Sequence, residues 1–282
     1  MKTILILLAL TLQAVAQLNV SIKPTKKQFV AHEDVTLTLS ITNRAGRTVT
    51  LQGKQMINWL NLNIYDQNRS MLPYREKAPN YKALVIPAGG TSTKTLNISD
   101  WYDLSRYGNY SITADVSLPG NTNDAVRSNS SRFTITNGRV LATQKIGMAG
   151  TASARKYEVI KFNGDSKTDI YVKITNDYTQ QVMSCKAISQ TIPYKEPKIA
   201  LDSSNNLHLL YLITHQTYVH HVIAPTGKIS KRSYHKPGAY GDPRLIAFAK
   251  GDVKVAGSIP FDPVKAKKEA LENRQLSDRP NF

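Results

Sequence analysis

The run Val35-Thr36-Leu37-Thr38-Leu39-Ser40-Ile41-Thr42-Asn43 places an apolar residue at every second position. Successive side chains of a strand point to opposite faces, so this period fits a strand with one buried face and does not fit one side of a helix. The pattern recurs, in shorter form, at Leu18 to Ile22, Val49 to Leu51, Leu60 to Tyr65, Thr93 to Ile98, Tyr110 to Val116 and Arg132 to Ile135. Turn-forming residues separate these segments at Ala45-Gly46, Asp66-Gln67-Asn68, Pro87-Ala88-Gly89-Gly90 and Tyr107-Gly108-Asn109. Short strands spaced by turns in this way predict a β-sandwich over residues 17–137. Residues 117–131, rich in Asn and Ser with a Pro-Gly pair, are expected to form a long hairpin loop before the last strand. The domain boundary is expected at Asn137-Gly138.

Residues 138–262 carry a second β-rich pattern. Tyr157 to Phe162 and Asp169 to Ile174 flank the turn Asn163-Gly164-Asp165-Ser166, and Gln181 to Ile188 adds a third strand. Two similar units follow. One runs Glu196-Pro197-Lys198-Ile199-Ala200-Leu201-Asp202 and then Asn206-Leu207-His208-Leu209-Leu210-Tyr211. The other runs Asp242-Pro243-Arg244-Leu245-Ile246-Ala247-Phe248 and then Gly251-Asp252-Val253-Lys254-Val255-Ala256-Gly257. Each has an acid, a proline, a cation, an apolar strand, a turn and a second apolar strand, at an interval close to that of a four-stranded propeller repeat. Further strands are expected at Thr217 to Ala224 and near Ile229 to Tyr234, with the turn Pro225-Thr226-Gly227-Lys228 between them.

Two resemblances rest on these residues. Lys26 to Phe29, His32-Glu33-Asp34-Val35 and Leu37 to Asn43, followed by Ile86 to Gly90, Leu96 to Ser99, Tyr102 to Leu104 and Gly108-Asn109-Tyr110, resemble the strands of bacterial immunoglobulin-like and macroglobulin-like modules. Similar phrases occur in the β-rich propeptides of deuterolysin-type secreted metallopeptidases. The resemblance implies a sandwich in which Tyr110 bonds back to nearby backbone as a tyrosine corner, and such modules bind, space or inhibit. Pro197 to Asp202 and Asn206 to Tyr211 are similar to blades of sialidase-like bacterial propellers. The copies are too few to close a propeller, the Ser-x-Asp-x-Gly-x-x-Trp signature is absent, and no arginine triad recurs, so sialidase chemistry does not carry over. The fold class expected is all-β: an immunoglobulin-like sandwich, then an antiparallel, incomplete propeller-like repeat unit, then a short C-terminal helix. Open sheet edges in such a unit favour self-association unless they are covered.

The ends of the chain read differently. Residues 1–16 have Lys2, a short apolar run from Ile4 to Leu12 and Ala14-Val15-Ala16, the pattern of a cleavable signal peptide. No later stretch approaches a membrane-spanning length, so no transmembrane anchor is expected and the location implied is secreted or periplasmic. One cysteine, Cys185, excludes an internal disulfide framework and favours a bacterial envelope protein over a stapled secreted domain. Cys185 reads as a small buried apolar residue. Five Asn-x-Ser triplets, at Asn19, Asn68, Asn97, Asn109 and Asn129, would be glycan acceptors only in a eukaryotic secretory route. Residues 263–282 open with Pro263 after Asp262, a capped helix start, and the segment from Gln275 to Phe282 is expected to be disordered.

The formal charge is +17 and 14 tyrosines outnumber tryptophan and phenylalanine together, a balance that favours anionic partners. Catalysis finds no support. Gly-x-Ser-x-Gly and a Gly-rich phosphate loop are absent, and Asp165, Asp169, Asp202, Asp242 and Asp252 fall at turns. No His-x-His or His-Glu-x-x-His occurs, and His220 and His221, as neighbours on a strand, face opposite ways. The histidines therefore read as surface or groove residues, with no metal and no cofactor implied. The reading is an exported, non-catalytic binding protein that recognises an envelope or extracellular polymer, or a protein partner. Its surface is placed on Lys198, His208, Tyr211, His235, Tyr240 and Arg244. The alternatives are an accessory or inhibitor-like module acting on a secreted peptidase, and a degenerate sialidase-like enzyme.

Overall fold

The computed structural model describes residues 18–53, 58–76, 79–119, 121–147, 154–164, 167–192 and 194–277, with the backbone alone for 121–123 and 274–277. The expected signal peptide and residues 278–282 lie outside them. Contacts divide the chain into two units: the residues up to Phe29 with Asp34–Thr136, and Val30–Glu33 with the residues from Asn137 on.

The first part of the chain forms β1 (Leu18–Pro24), β2 (Gln28–Val30), β3 (Thr36–Asn43), β4 (Val49–Leu51), β5 (Leu60–Tyr65), β6 (Leu84–Ile86), β7 (Thr91–Asn97), β8 (Gly108–Leu118), β9 (Asn121–Arg127) and β10 (Ser131–Thr136). One sheet has the order β1-β3-β7, a second β2-β10-β8-β5 with β9 on β8, and β4 pairs with β6. The alternation sets the burial. Leu37, Leu39 and Ile41 of β3 are buried while Thr36, Thr38, Ser40 and Thr42 between them are half-exposed. β1 lies against β8, β9 and β10, closing a sandwich. Asn129 ties the layers: its side chain accepts from the Ile22 N–H at 2.9 Å and donates to the Ile22 carbonyl at 3.0 Å. Tyr110 donates its hydroxyl to the Arg106 carbonyl at 2.8 Å, the expected tyrosine corner, and stacks on Phe133. The expected loop over residues 117–131 is a strand hairpin instead. β9 pairs with β8, and Arg127 grips Asp115 with two nitrogens, at 2.8 and 3.0 Å.

The second part forms β11 (Arg139–Gly147), β12 (Ala154–Asn163), β13 (Thr168–Asn176), β14 (Val182–Gln190), β15 (Lys198–Leu201), β16 (Leu207–Thr214), β17 (Thr217–Ile223), β18 (Ile229–Pro237), β19 (Arg244–Ala247), β20 (Val253–Ala256), β21 (Ser258–Phe261) and α1 (Pro263–Ser277). The strands β11-β12-β13-β14 make one antiparallel sheet and β15-β16-β17-β18-β21 another. They face each other across a core of Tyr157, Val159, Ile170, Val172 and Ile174 from the first and Leu207, Leu209, Tyr211, Val219 and Ile223 from the second. Two hydrogen bonds made by hydroxyls lock this interface. Tyr157 donates to the Asn205 carbonyl at 2.7 Å, and the Ser189 and Tyr211 hydroxyls share a hydrogen bond of 2.5 Å. The opposite face of the first sheet buries Ile160, Phe162, Tyr171 and Cys185 with Val30. Between β17 and β18 the Pro225-Thr226-Gly227-Lys228 turn requires glycine: Gly227 has φ 83°, and a Cβ there would overlap the Ser184 side chain.

The duplicated unit folds unequally. Its first copy supplies β15 and β16 inside the five-stranded sheet; its second supplies only the separate hairpin β19–β20. The chain turns at Gly257, φ 69°, and β21 joins β18 instead of extending the hairpin. No further four-stranded sheet arises from the second copy among the described residues. The hairpin sets Leu245 and Val255 on Leu210, Leu212 and Tyr218. Asp262 caps α1, accepting from the N–H groups of Val264 and Lys265 at 2.9 and 3.2 Å. The helix runs to Ser277, so Gln275–Ser277, expected to be disordered, is helical.

Candidate functional site

Register assigns the two faces of the five-stranded sheet. Pairing puts Lys198, His208, Leu210, Tyr218, His220, Ser233 and His235 on the outer face. It puts Leu209, Tyr211, Val219, His221, Arg232, Tyr234 and Lys236 on the face that meets the core. Of the residues expected to form one binding surface, Lys198, His208 and His235 share the outer face and Tyr211 lies on the opposite one. Lys198 is exposed and donates to the Pro243 carbonyl at 3.1 Å. Tyr240, 99% exposed, and Arg244, exposed, lie on and beside the loop that leads into β19. His235 is half-buried. His208 and Tyr211 are buried, which corrects their placement on the surface. The reason is that both sheet faces are covered here: the core takes Tyr211, and the outer face around His208 is closed over by the Asp202–Asn206 turn and its histidine neighbours.

His208, His220 and His221 are interior groups and His235 is half-buried, whereas His32 and His215 are exposed. His208 Nε2 lies 3.3 Å from Asp202 Oδ2, and its Nδ1 lies 3.0 Å from His220 Nε2. His220 Nδ1 reaches the Ser233 hydroxyl at 3.5 Å, and Ser233 meets His235 Nε2 at 3.1 Å. Burial, with the nearby His208 and His235, pushes His220 down to about 3. On the opposite face His221 stacks on Tyr211, and burial beside Arg232 pushes it down to about 4. Burial also lowers His235. Asp202 is held below the usual carboxylate range: burial works to raise it, but bonds from Asn206, His208 and Ser204 outweigh that. Among the described residues no group of three or more His, Cys, Asp or Glu side chains is arranged to hold a metal ion.

The exposed chemistry lies at the other end of the sheet. From Lys228 to Gly241 the chain carries four cations, Lys228, Lys231, Arg232 and Lys236, and no acid. Arg232 lies over the Tyr234 ring at 5.1 Å and Lys236 over the Phe261 ring at 4.2 Å. Tyr234 pairs with Phe261 and Lys236 with Ile259, so these five side chains share one face of β18 and β21. Ile259 is 57% exposed and Arg232 is exposed. On the neighbouring hairpin Lys254 lies over Phe248 at 5.5 Å. Such a face offers fixed positive charge beside aromatic rings, a chemistry suited to anionic groups on a ring-containing polymer. Sequence reasoning recognised the β18 strand only as far as Tyr234 and nominated none of these cations. Their signal was the interleaving in Lys231-Arg232-Ser233-Tyr234-His235-Lys236.

No family model matches the chain, and no curated protein matches it. Among solved structures it is similar to the CARDB domain of the PF1109 protein from Pyrococcus furiosus, solved in complex with di-metal ions, at 15% identity over 43% of this chain and 89% of that one, with a TM-score of 0.26. Spo0M, a sporulation control protein from Bacillus subtilis, is similar at 10% identity over 92% and 96% of the two chains, TM-score 0.28. The YadV chaperone is similar at 11% identity over 76% and 99%, TM-score 0.24. At these scores none of the three bears on what this chain does.

Proposed function

We propose that the chain is an exported, non-catalytic binding protein that holds an anionic extracellular or envelope polymer on the cation–aromatic face of β18 and β21. The observation that carries this reading is the Arg232/Tyr234 and Lys236/Phe261 pairing on one partly open face, in a segment without acids. Each pair is pre-positioned, so less side-chain freedom is lost on binding than for free lysines. Stacked sugar rings would meet Ile259 and Phe261 while carboxylate or sulfate groups meet the cations. The two meanders β11–β14 and β15–β18, packed face to face, support reading this unit as two blade-like sheets that carry the site at one rim. Retention on immobilised dextran sulfate but not on neutral dextran, with release by moderate salt, is the expected outcome. Equal retention on both matrices overturns the charge-based reading, and release only at molar salt does the same.

A further inference from the structure

The row Asp202–His208–His220–Ser233–His235–Ser258 plays no part in the proposed binding face. It crosses the five-stranded sheet from the turn before β16 to β21, and its last link joins His235 Nδ1 to the Ser258 hydroxyl at 3.0 Å. His208 and His220 are only 6% and 5% exposed, and their rings stack at 5.1 Å. Asp202, the one carboxylate in the row, bonds to His208, and His220 and His235 are joined through His208, Ser233 and Ser258.

The groups facing the row can be named strand by strand. On β15 Ala200 lies opposite His208, and on β16 Leu210 lies opposite His220. On β17 Val222 neighbours His208 and Tyr218 neighbours His235; on β18 the cation Lys231 flanks Ser233. On β21 Pro260 lies opposite His235. The hairpin β19–β20 packs Leu245 and Val255 onto Leu210, Leu212 and Tyr218. Its cations Arg244 and Lys254 alternate with those two residues and so point away from the sheet. Asp242 and Lys195 form an ion pair beside the Tyr218 hydroxyl. Asp202 apart, the charges that face the row are Lys231 and Lys198, both positive, the latter donating to the Pro243 carbonyl, and the mutually neutralising Lys195–Asp242 pair. Arg232 and His221 lie on the other face.

We propose that this row is an acid-operated latch: protonation of its histidines breaks the row and frees hairpin β19–β20 from Leu210, Leu212 and Tyr218. The hydrogen bond between His208 Nδ1 and His220 Nε2 needs one donor and one acceptor. A protonated imidazole has two donors, so a second proton sets N–H against N–H at 3.0 Å and two like charges in stacked rings. The sign follows from the lowered values of His220 and His235. A histidine depressed in the folded state stabilises that state above its unfolded pKa of about 6.5, and the contribution is lost as pH falls from there towards the folded value.

The test is hydrogen exchange on the full chain, read as protection factors from pH 7 to pH 4. Segments 207–223 and 244–256 are expected to lose at least tenfold protection across this range while 36–43 in the first unit keeps its own. His208→Gln with His220→Gln is expected to move the transition down by about one pH unit. His215→Gln, whose ring lies against Tyr194 at 5.3 Å outside the row, is expected to leave it in place. Unchanged protection to pH 4, equal loss in 36–43, or an unshifted transition in the double variant overturns the proposal. If the double variant does not fold at pH 7, the ring resonances of the unaltered protein decide. His220 and His235 staying neutral below pH 6 until protection falls supports the latch; their titration near pH 6.5 with protection intact refutes it.

Discussion

Leu209→Ala probes the face-to-face packing of the two sheets in the second unit. Leu209 is completely buried, is flanked on its own sheet by Ile199 and His221, and shares its cluster with Tyr157, Val159, Ile170, Val172 and Ile174 of the opposing sheet. Truncating a buried leucine costs about 2–5 kcal/mol, with the larger losses where the walls do not collapse into the cavity. Here both walls are strands held in ladders on each side, and the Tyr157 and Ser189–Tyr211 bonds fix their separation. The expected loss is therefore in the upper half of that range, about 3–5 kcal/mol, a large share of the ~5–15 kcal/mol that holds an ordinary domain. Urea-dependent hydrogen exchange at 157–162 and 207–213 measures it directly. Tryptophan fluorescence does not, because Trp59 and Trp101 both belong to the first unit. Ile259→Ala, at an exposed position, serves as control and should stay within about 0.5 kcal/mol. A loss below about 1 kcal/mol for Leu209→Ala would refute the packing argument.

Two further substitutions test the first unit. Asn43→Ala removes a fully buried amide that donates to the carbonyls of Arg47, Ile86 and Pro87 and accepts from the Ala45 N–H. With four backbone groups left short of a partner, the loss should reach about 2–4 kcal/mol, visible as a lower midpoint of tryptophan fluorescence in urea. Tyr110→Phe keeps the stack on Phe133 and deletes only the bond to the Arg106 carbonyl, so about 1 kcal/mol should be lost with the fold unchanged by circular dichroism.

How much of this was legible depended on which neighbours decide each residue's place. β3 was plain because one of its faces meets water, and Thr36 to Asn43 therefore alternates. Tyr110 and Asp262 were legible because their partners are local in the chain: Arg106 in one case, Val264 and Lys265 in the other. β17 defeats the same reasoning. All seven of its residues are buried, so the period of two that separates inside from outside carries no signal, and polar histidines look like surface groups. Their interior role depends on His208 and Ser233, brought alongside from other strands. The duplicated unit misled for a related reason. Its two copies form equivalent hairpins, but only the first finds a third strand to pair with, and that outcome turns on where β21 goes after Gly257. β9 was hidden by its composition, since Asn, Asp and Ser around it are turn formers and the pairing with β8 overrides them.

The most direct test of the proposed binding role is the salt dependence of affinity for dextran sulfate in the unaltered protein, in Arg232→Gln with Lys236→Gln, and in Lys23→Gln with Lys82→Gln. The last pair removes equal charge from exposed positions of the first unit. Each cation that touches the polymer contributes about one unit to the slope of log affinity against log salt. The account predicts that the β18 double variant binds at least tenfold more weakly at low salt, with a slope smaller by about two, while the control pair changes neither. Equal weakening in both double variants, or an unchanged slope in the β18 variant, would contradict it.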